Sequence, residues 1–327
     1  MFLLHPFLKD ALWGGCNLFK RFRKGADERI AESWELSTHA DGHSRISDGR
    51  TLQELLSIKP SLSGGSANQD GTIPILAKLI DACLPLSVQV HPDDDSACSC
   101  DGDSGKTEFW YILDAEPDAW IYYGLRETIT HDQFEKYALD GTIESVLQKV
   151  PVKPGDAFFI PAGTLHSLGG GILCFELQQH SNLTYRVFDY DRRDHTGRTR
   201  TLHIQQSLDV VTLTPTARYI PGEGESSRKN GLTRRTMVCC SKFSMEEINI
   251  DGEGKITVPN QLFAGLLFVE GKCLAVSSQY EEMEAVDCEL SLMPGQTVFL
   301  ASGETVILQG RGRAFLLFPP TADRTSV

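Results

Sequence analysis

At 327 residues the chain exceeds one average domain and can bury two modest cores. With 41% hydrophobic residues it has the composition of a globular protein, not a disordered one. A net charge of −13 argues against a general nucleic-acid surface and requires that any site for an anion be locally basic.

Nine cysteines, among them Cys98 and Cys100 and the pair Cys239 and Cys240, lack Cys-x-x-Cys spacing and read as mostly free thiols of a reducing compartment. Residues 1–6 are too short for a signal-peptide core, and Pro6, Lys9 and Asp10 interrupt the apolar run. No run approaches the ~18 apolar residues of a membrane span. The expectation is a soluble, cytoplasmic protein with neither a nucleic-acid nor a membrane partner.

In chain order, Thr51-Leu52-Gln53-Glu54 is a capping box ahead of Leu55, Leu56 and Ile58 and predicts a helix. A polar loop covers 61–71. Strands are predicted over 73–80, 84–90, 109–113 and 119–123. Thr130-His131-Asp132-Gln133 repeats the cap chemistry and opens a second helix, which Asp140-Gly141 breaks. Ile143, Val146 and Leu147 suit a short helix after it. Strands return over 157–160, 171–178 and 184–188. Residues 218–231, rich in Gly, Pro and Ser, read as a linker, and short strands and turns continue from 232 to the end.

Residues 153–164, Lys-Pro-Gly-Asp-Ala-Phe-Phe-Ile-Pro-Ala-Gly-Thr, resemble residues 293–304, Met-Pro-Gly-Gln-Thr-Val-Phe-Leu-Ala-Ser-Gly-Glu. In this register Val306 stands opposite His166. A looser match of 111–114 with 267–270 sets Ala264 opposite Glu108. The expected organisation is therefore mainly β, with a jelly roll in each half: a first domain over 1–217 with small helical segments, and a second over 232–327 that has lost the polar residues of the first.

Those polar residues carry the chemistry. Alternation along 86–91 sends Ser87, Gln89 and His91 to one face of a strand and Leu86, Val88 and Val90 to the other. Glu108 comes after Gly105-Lys106-Thr107 as the next strand begins, and His166 after Pro161-Ala162-Gly163-Thr164-Leu165 beyond a strand end. Two imidazoles and one carboxylate on a rigid β scaffold leave coordination positions open, as a catalytic metal requires. Among the other histidines, His5, His39, His43, His131, His195 and His203 read as ordinary surface or core residues. Arg186, Arg192, Arg193, Arg198 and Arg200 make 186–200 the most basic stretch, partly offset by Asp189, Asp191 and Asp194. It is either a phosphate-holding rim or a solvated loop laced with ion pairs. Trp13, Trp34 and Trp110 are pocket or core residues.

The segments Gln89-Val90-His91-Pro92, Gly105-Lys106-Thr107-Glu108, Pro161-Ala162-Gly163-Thr164-Leu165-His166, Glu176-Leu177-Gln178-Gln179 and Tyr185-Arg186-Val187-Phe188-Asp189-Tyr190 resemble, in order, the motifs of type I mannose-6-phosphate isomerases of the short bacterial form. Trp13-Gly14-Gly15 and Glu32-Ser33-Trp34-Glu35 extend the resemblance toward the amino terminus. It implies two cupin-type jelly rolls, the first bearing the metal, and reversible conversion of mannose 6-phosphate to fructose 6-phosphate. It further implies one zinc ion per chain on His91, Glu108 and His166, with Gln89 as a fourth ligand, and Arg186 in the active site. Ser87 and Arg192 are the expected substrate contacts, Arg192 standing near where longer relatives place a lysine.

An aldose–ketose interconversion proceeds by a hydride shift on the sugar or by a proton route; the proton route passes through an enediolate, whose charge a metal and a guanidinium stabilise. It also needs a general base, for which Glu176, Lys106 and a metal-bound hydroxide are the candidates. Two other readings use the same residues. One is a cupin oxygenase, since two histidines and a carboxylate also hold non-haem Fe(II). The other is a metal-containing sugar-binding cupin without turnover. The oligomeric state is not legible in the sequence.

Overall fold

The computed structural model describes all residues except 26–28, 101–102, 195, 218–225, 278–287 and 322–327, and of 98–100 it describes the backbone alone. The molecule is mainly β. Its first half pairs two sheets. The larger runs, in spatial order, Ala157–Ile160, Glu108–Ala115, Ile172–Gln179, Ile75–Ala82, Glu32–Leu36 and Phe7–Lys9. The smaller runs Leu147–Pro151, Trp120–Leu125, His166–Leu168, Val88–Val90 and Tyr185–Phe188. Ile80, Trp110, Ile112, Ile121, Tyr123, Phe158 and Leu168 fill the space between them.

The central strands of the larger sheet are buried on both faces, so they read as nearly unbroken apolar runs. Glu108, Trp110 and Ile112 point between the sheets. Phe109, Tyr111 and Leu113 point outward, where they join Leu79, Phe175 and Leu177 against Met245, Leu267, Val269, Phe315 and Leu317 of the second half. Each half thus covers a face that the other would leave in water, at roughly 1.5–3 kcal/mol per large apolar side chain buried.

The second half forms one sheet around three long strands, Ser244–Thr257, Ala264–Ser277 and Thr305–Phe318. Its pairing repeats that of the first half. Ile160 opposes Glu108 as Leu300 opposes Ala264, and Ala157 opposes Tyr111 as Thr297 opposes Leu267. Gly155 donates to the Ile112 carbonyl as Gly295 donates to that of Phe268. Ala264 and Val306, opposite the expected ligands, lie in the apolar core.

Both capping boxes form, at Thr51 and Glu54 ahead of the helix Leu52–Ile58 and at Thr130 and Gln133 ahead of His131–Leu139. Ile143–Val146 is a 3₁₀ turn, and Leu147 already belongs to a strand. Of the expected strand over 84–90, only Val88–Val90 pairs as one, because Pro85 has no N–H to give. The expected linker is only partly described: Ser227–Lys229 is a strand hairpinned to Leu232–Cys239, and 218–225 lies outside the described residues. Phe2–Leu4, expected within the first domain, instead hydrogen-bonds to Thr297–Leu300 of the second sheet.

Candidate active site

His91 leaves the end of Val88–Val90, His166 opens the neighbouring strand, and Glu108 opens a strand of the facing sheet, so the three converge between the sheets. All are buried, and their ligand atoms lie within 4.8 Å of one another. His166 Nδ1 lies 2.8 Å from the Thr164 carbonyl, which fixes the tautomer and leaves the Nε2 lone pair facing Glu108 Oε2 at 3.4 Å. His91 Nε2 sits 3.2 Å from Glu108 Oε1. Burial, with Lys106 nearby, drives the His91 pKa down to about 3, and burial lowers that of His166 as well, so both rings are neutral. Burial alone would raise the Glu108 pKa, but Lys106 and His91 outweigh it and hold the carboxyl well below its usual range.

Neither Glu108 oxygen receives a well-directed hydrogen bond, although the Lys106 ammonium stands 2.8 Å from one of them. A buried carboxylate left so short of donors, between two neutral imidazoles, suits a divalent cation. Gln89 presents its amide nitrogen 3.4 Å from His166 Nε2. Turning the amide over would bring its oxygen to the same place.

Beside this triad opens a cavity of about 130 Å³, lined by residues that include Lys9, Trp13, Glu32, Lys78, Ser87, Gln89, Lys106, Glu176, Arg186 and Arg200. Gln89 and Lys106 connect the two, since each lines the cavity and lies beside a triad residue. Leu86 also lines the cavity, against the expected alternation, because it precedes the strand. Glu176 accepts a 2.8 Å hydrogen bond from Trp110 Nε1 and stands 3.4 Å from Lys78. Burial, reinforced by Glu108, raises its pKa.

Two substrate contacts read from the sequence part company here. Ser87 lines the cavity, but Arg192 does not. Its guanidinium is spent on the Asp189 carboxylate and the Pro85 carbonyl. Arg200 lines the cavity instead, held by its Nε at 2.8 Å from Asp189 Oδ2. Left-handed φ angles at Tyr190 and Asp191 make the tight turn after Tyr185–Phe188 that folds the loop back. Arg193 and Arg198 are exposed.

Sequence reasoning passed over Lys78, Glu32 and His203. Lys78 alternates with the outward Ala77 and Leu79 on its strand, a signal the sequence did carry, whereas Glu32 is followed by the buried polar residues Ser33 and Glu35 and shows no such alternation. His203 had no such signal. It exchanges backbone and ring contacts with Arg186, whose N–H donates to His203 Nδ1 at 3.1 Å while the His203 N–H donates to the Arg186 carbonyl at 2.7 Å.

The sequence model for the catalytic domain of phosphomannose isomerase type I matches residues 1–119. The mannose-6-phosphate isomerase ManA of Bacillus subtilis is 35% identical over 282 residues, which is 84% of this chain and 87% of that protein. The mannose-6-phosphate isomerase of Streptococcus mutans is 37% identical over 286 residues, 85% of this chain and 88% of that protein. The crystal structure of the mannose 6-phosphate isomerase from Bacillus subtilis superposes with a TM-score of 0.86 at 32% identity, over 97% of this chain and 98% of that one. Similarity of this extent in sequence and fold, around a buried His-Glu-His cluster beside a cavity lined by Lys78, Lys106, Arg186 and Arg200, places the chain in the type I phosphomannose isomerase family.

Proposed function

We infer that the chain is a metal-dependent aldose–ketose isomerase interconverting mannose 6-phosphate and fructose 6-phosphate. Family membership supports this, and the donor-poor Glu108 carboxylate between two neutral imidazoles is the observation that carries the metal dependence. The metal is zinc, one ion per chain, on His91, Glu108 and His166, with Gln89 as the fourth ligand through its oxygen. Bound there, it supplies a Lewis acid for the sugar oxygens. The oxygenase and pure binding readings give way because neither accounts for the family.

The residues of the chain divide the remaining work. Glu176, with its raised pKa, takes the proton from carbon 2 of the open-chain aldose and returns it to carbon 1, while the hydroxyl proton passes from oxygen 2 to oxygen 1, so the carbonyl moves to carbon 2. Lys106 is a donor instead: burial would lower its pKa, but Glu108 and Glu176 outweigh burial and raise it, so it stays an ammonium. Arg186 adds fixed positive charge against the enediolate. Arg200 and Ser87 hold the phosphate, Arg200 taking the part the sequence had assigned to Arg192. The described cysteines are free thiols, which suits residence in the cytoplasm, and no helix among the described residues is long and apolar enough to cross a membrane.

Metal content and turnover of mannose 6-phosphate, fructose 6-phosphate and glucose 6-phosphate, measured on metal-loaded and chelated protein, test this. The expected result is mannose 6-phosphate–fructose 6-phosphate exchange that chelation abolishes and zinc restores. His166→Ala should lose bound metal and at least about 10²-fold in rate while keeping its β-rich circular dichroism. Full turnover by demonstrably metal-free protein would overturn the reading.

A further inference from the structure

We propose that Glu32 is a positioning residue that keeps the Lys78 ammonium charged and aimed at Glu176. The proposal rests on the catalytic reading of Glu176 above. Two carboxylates and three ammonium groups, Lys9, Glu32, Lys78, Glu176 and Lys106, line one cavity. Lys9 Nζ lies 3.7 Å from Glu32 Oε1, Lys78 Nζ 3.7 Å from Glu32 Oε2, and Lys78 Nζ 3.4 Å from Glu176 Oε1. Lys106 and Glu108 continue the series to the metal cluster. Only Lys9, with its side chain 37% exposed, reaches solvent freely.

Glu32 is fixed before any substrate arrives. Trp34 Nε1 donates to its Oε2 at 2.7 Å, and Lys78 stands 4.9 Å over the Trp34 ring. The two carboxylates beside Lys78 are pushed apart. Burial, with Glu108 beside it, raises the pKa of Glu176. For Glu32 the same burial is outweighed by Lys78 and Lys9, and its carboxyl is lowered and stays ionised. Groups so separated have different tasks. Lys78 itself needs the help. Burial lowers its pKa, Lys106 and Lys9 push the same way, and Glu176 and Glu32 oppose them. When Glu176 carries the substrate proton it no longer supports the ammonium, and Glu32, 3.7 Å away, is the neighbouring carboxylate that still does. A charged Lys78 in turn favours return of that proton, because it stabilises the Glu176 carboxylate.

The pH profile of kcat/KM, which reports the free enzyme, tests this. Glu32→Gln keeps an acceptor for Trp34 but removes the charge. Its alkaline limb should move to lower pH by about 1–3 units, the shift typical of losing one close counter-charge. Glu32→Asp should bring the limb back toward that of the parent enzyme. Lys9→Met removes a cation that works against Lys78, so its limb should move to higher pH. A purely structural Glu32 would give no such opposite signs. An unmoved alkaline limb in folded, metal-loaded Glu32→Gln overturns the proposal. If that variant does not fold, the rim variant Lys9→Met decides: a limb moved to higher pH supports it, and one unmoved or moved lower overturns it. Glu176→Gln separates the two readings. Full turnover there sinks the catalytic role of Glu176, whereas lost turnover there with an unmoved limb in Glu32→Gln sinks only the role of Glu32.

Discussion

Arg186 and Arg192 lie six residues apart in the most basic stretch of an acidic chain, and they end in different surroundings. Arg186 sits in a strand register that turns it into the cavity, with its Nε buried and unpartnered and one terminal nitrogen donating to the Thr201 carbonyl at 2.9 Å. Arg192 is neutralised by Asp189. Spare donor capacity at a cavity wall suits a group that meets charge formed during the reaction, so Arg186→Ala should lose about 10²-fold or more in kcat at unchanged metal content. Arg186→Lys keeps the charge but not the planar fork and should rescue only partly. Arg200→Ala should instead raise KM about 10–100-fold, the worth of one charge-assisted hydrogen bond, with kcat largely kept. Steady-state constants for the three variants, with Arg192→Ala as the weaker comparison, check the assignment. A normal KM in Arg200→Ala would return the phosphate contact to Arg192 or to Ser87 alone.

Elements that announce themselves in the sequence do so through local chemistry. The Thr51 hydroxyl accepts from the Glu54 N–H at 3.1 Å and the Glu54 carboxylate accepts from the Thr51 N–H at 2.7 Å, so the helix Leu52–Ile58 starts where the capping box puts it. Thr51→Ala should cost about 1 kcal/mol in chemical denaturation and leave kcat unchanged, since the helix stands away from the cavity residues. A cost near zero would mean that burial of Leu52, Leu55 and Leu56 alone holds the helix. The helices Asn17–Phe22 and Ile204–Val210 are not legible in the sequence because neither has a side-chain cap. The strand Glu32–Leu36 is hidden for another reason. It is buried along its whole length yet carries Glu32, Ser33 and Glu35; Trp34 and Ser33 donate within the strand, but the ammonium groups that balance Glu32 and Glu35, Lys78 and Lys24, come from elsewhere in the chain. Lys24 and Thr297 both reach the Glu35 carboxylate, the latter across from the second half at 2.8 Å.

At the scale of the whole molecule the second jelly roll acts as the outer wall of the first. Phe315 is fully buried and packs against Tyr111 at 4.9 Å and Phe175 at 5.1 Å between ring centroids, and Arg313 donates to the Tyr111 hydroxyl at 2.8 Å. The strands bearing Tyr111 and Phe175 also carry Glu108 and Glu176 on their opposite face. Phe315→Ala should therefore cost about 3–5 kcal/mol of stability and remain a single cooperative transition by calorimetry. Two separate transitions, with only the later half of the chain destabilised, would show that the halves fold independently.

The sequence by itself determined the β architecture, the repeat and the convergence of His91, Glu108 and His166. Each is written in local terms: turn residues at fixed offsets, apolar alternation, and donors placed at strand ends. His91, Glu108 and His166 were legible because a strand end aims its side chain predictably. Only the tertiary structure decided which arginine reaches the cavity, that Glu32 and Lys78 share one wall with Glu176, and that Phe2–Leu4 completes the far sheet. Those facts depend on pairings between strands distant in the chain and on which buried charge finds which partner. A buried ion is tolerated only where the fold brings a counter-charge to it, and no local pattern in the sequence records that meeting.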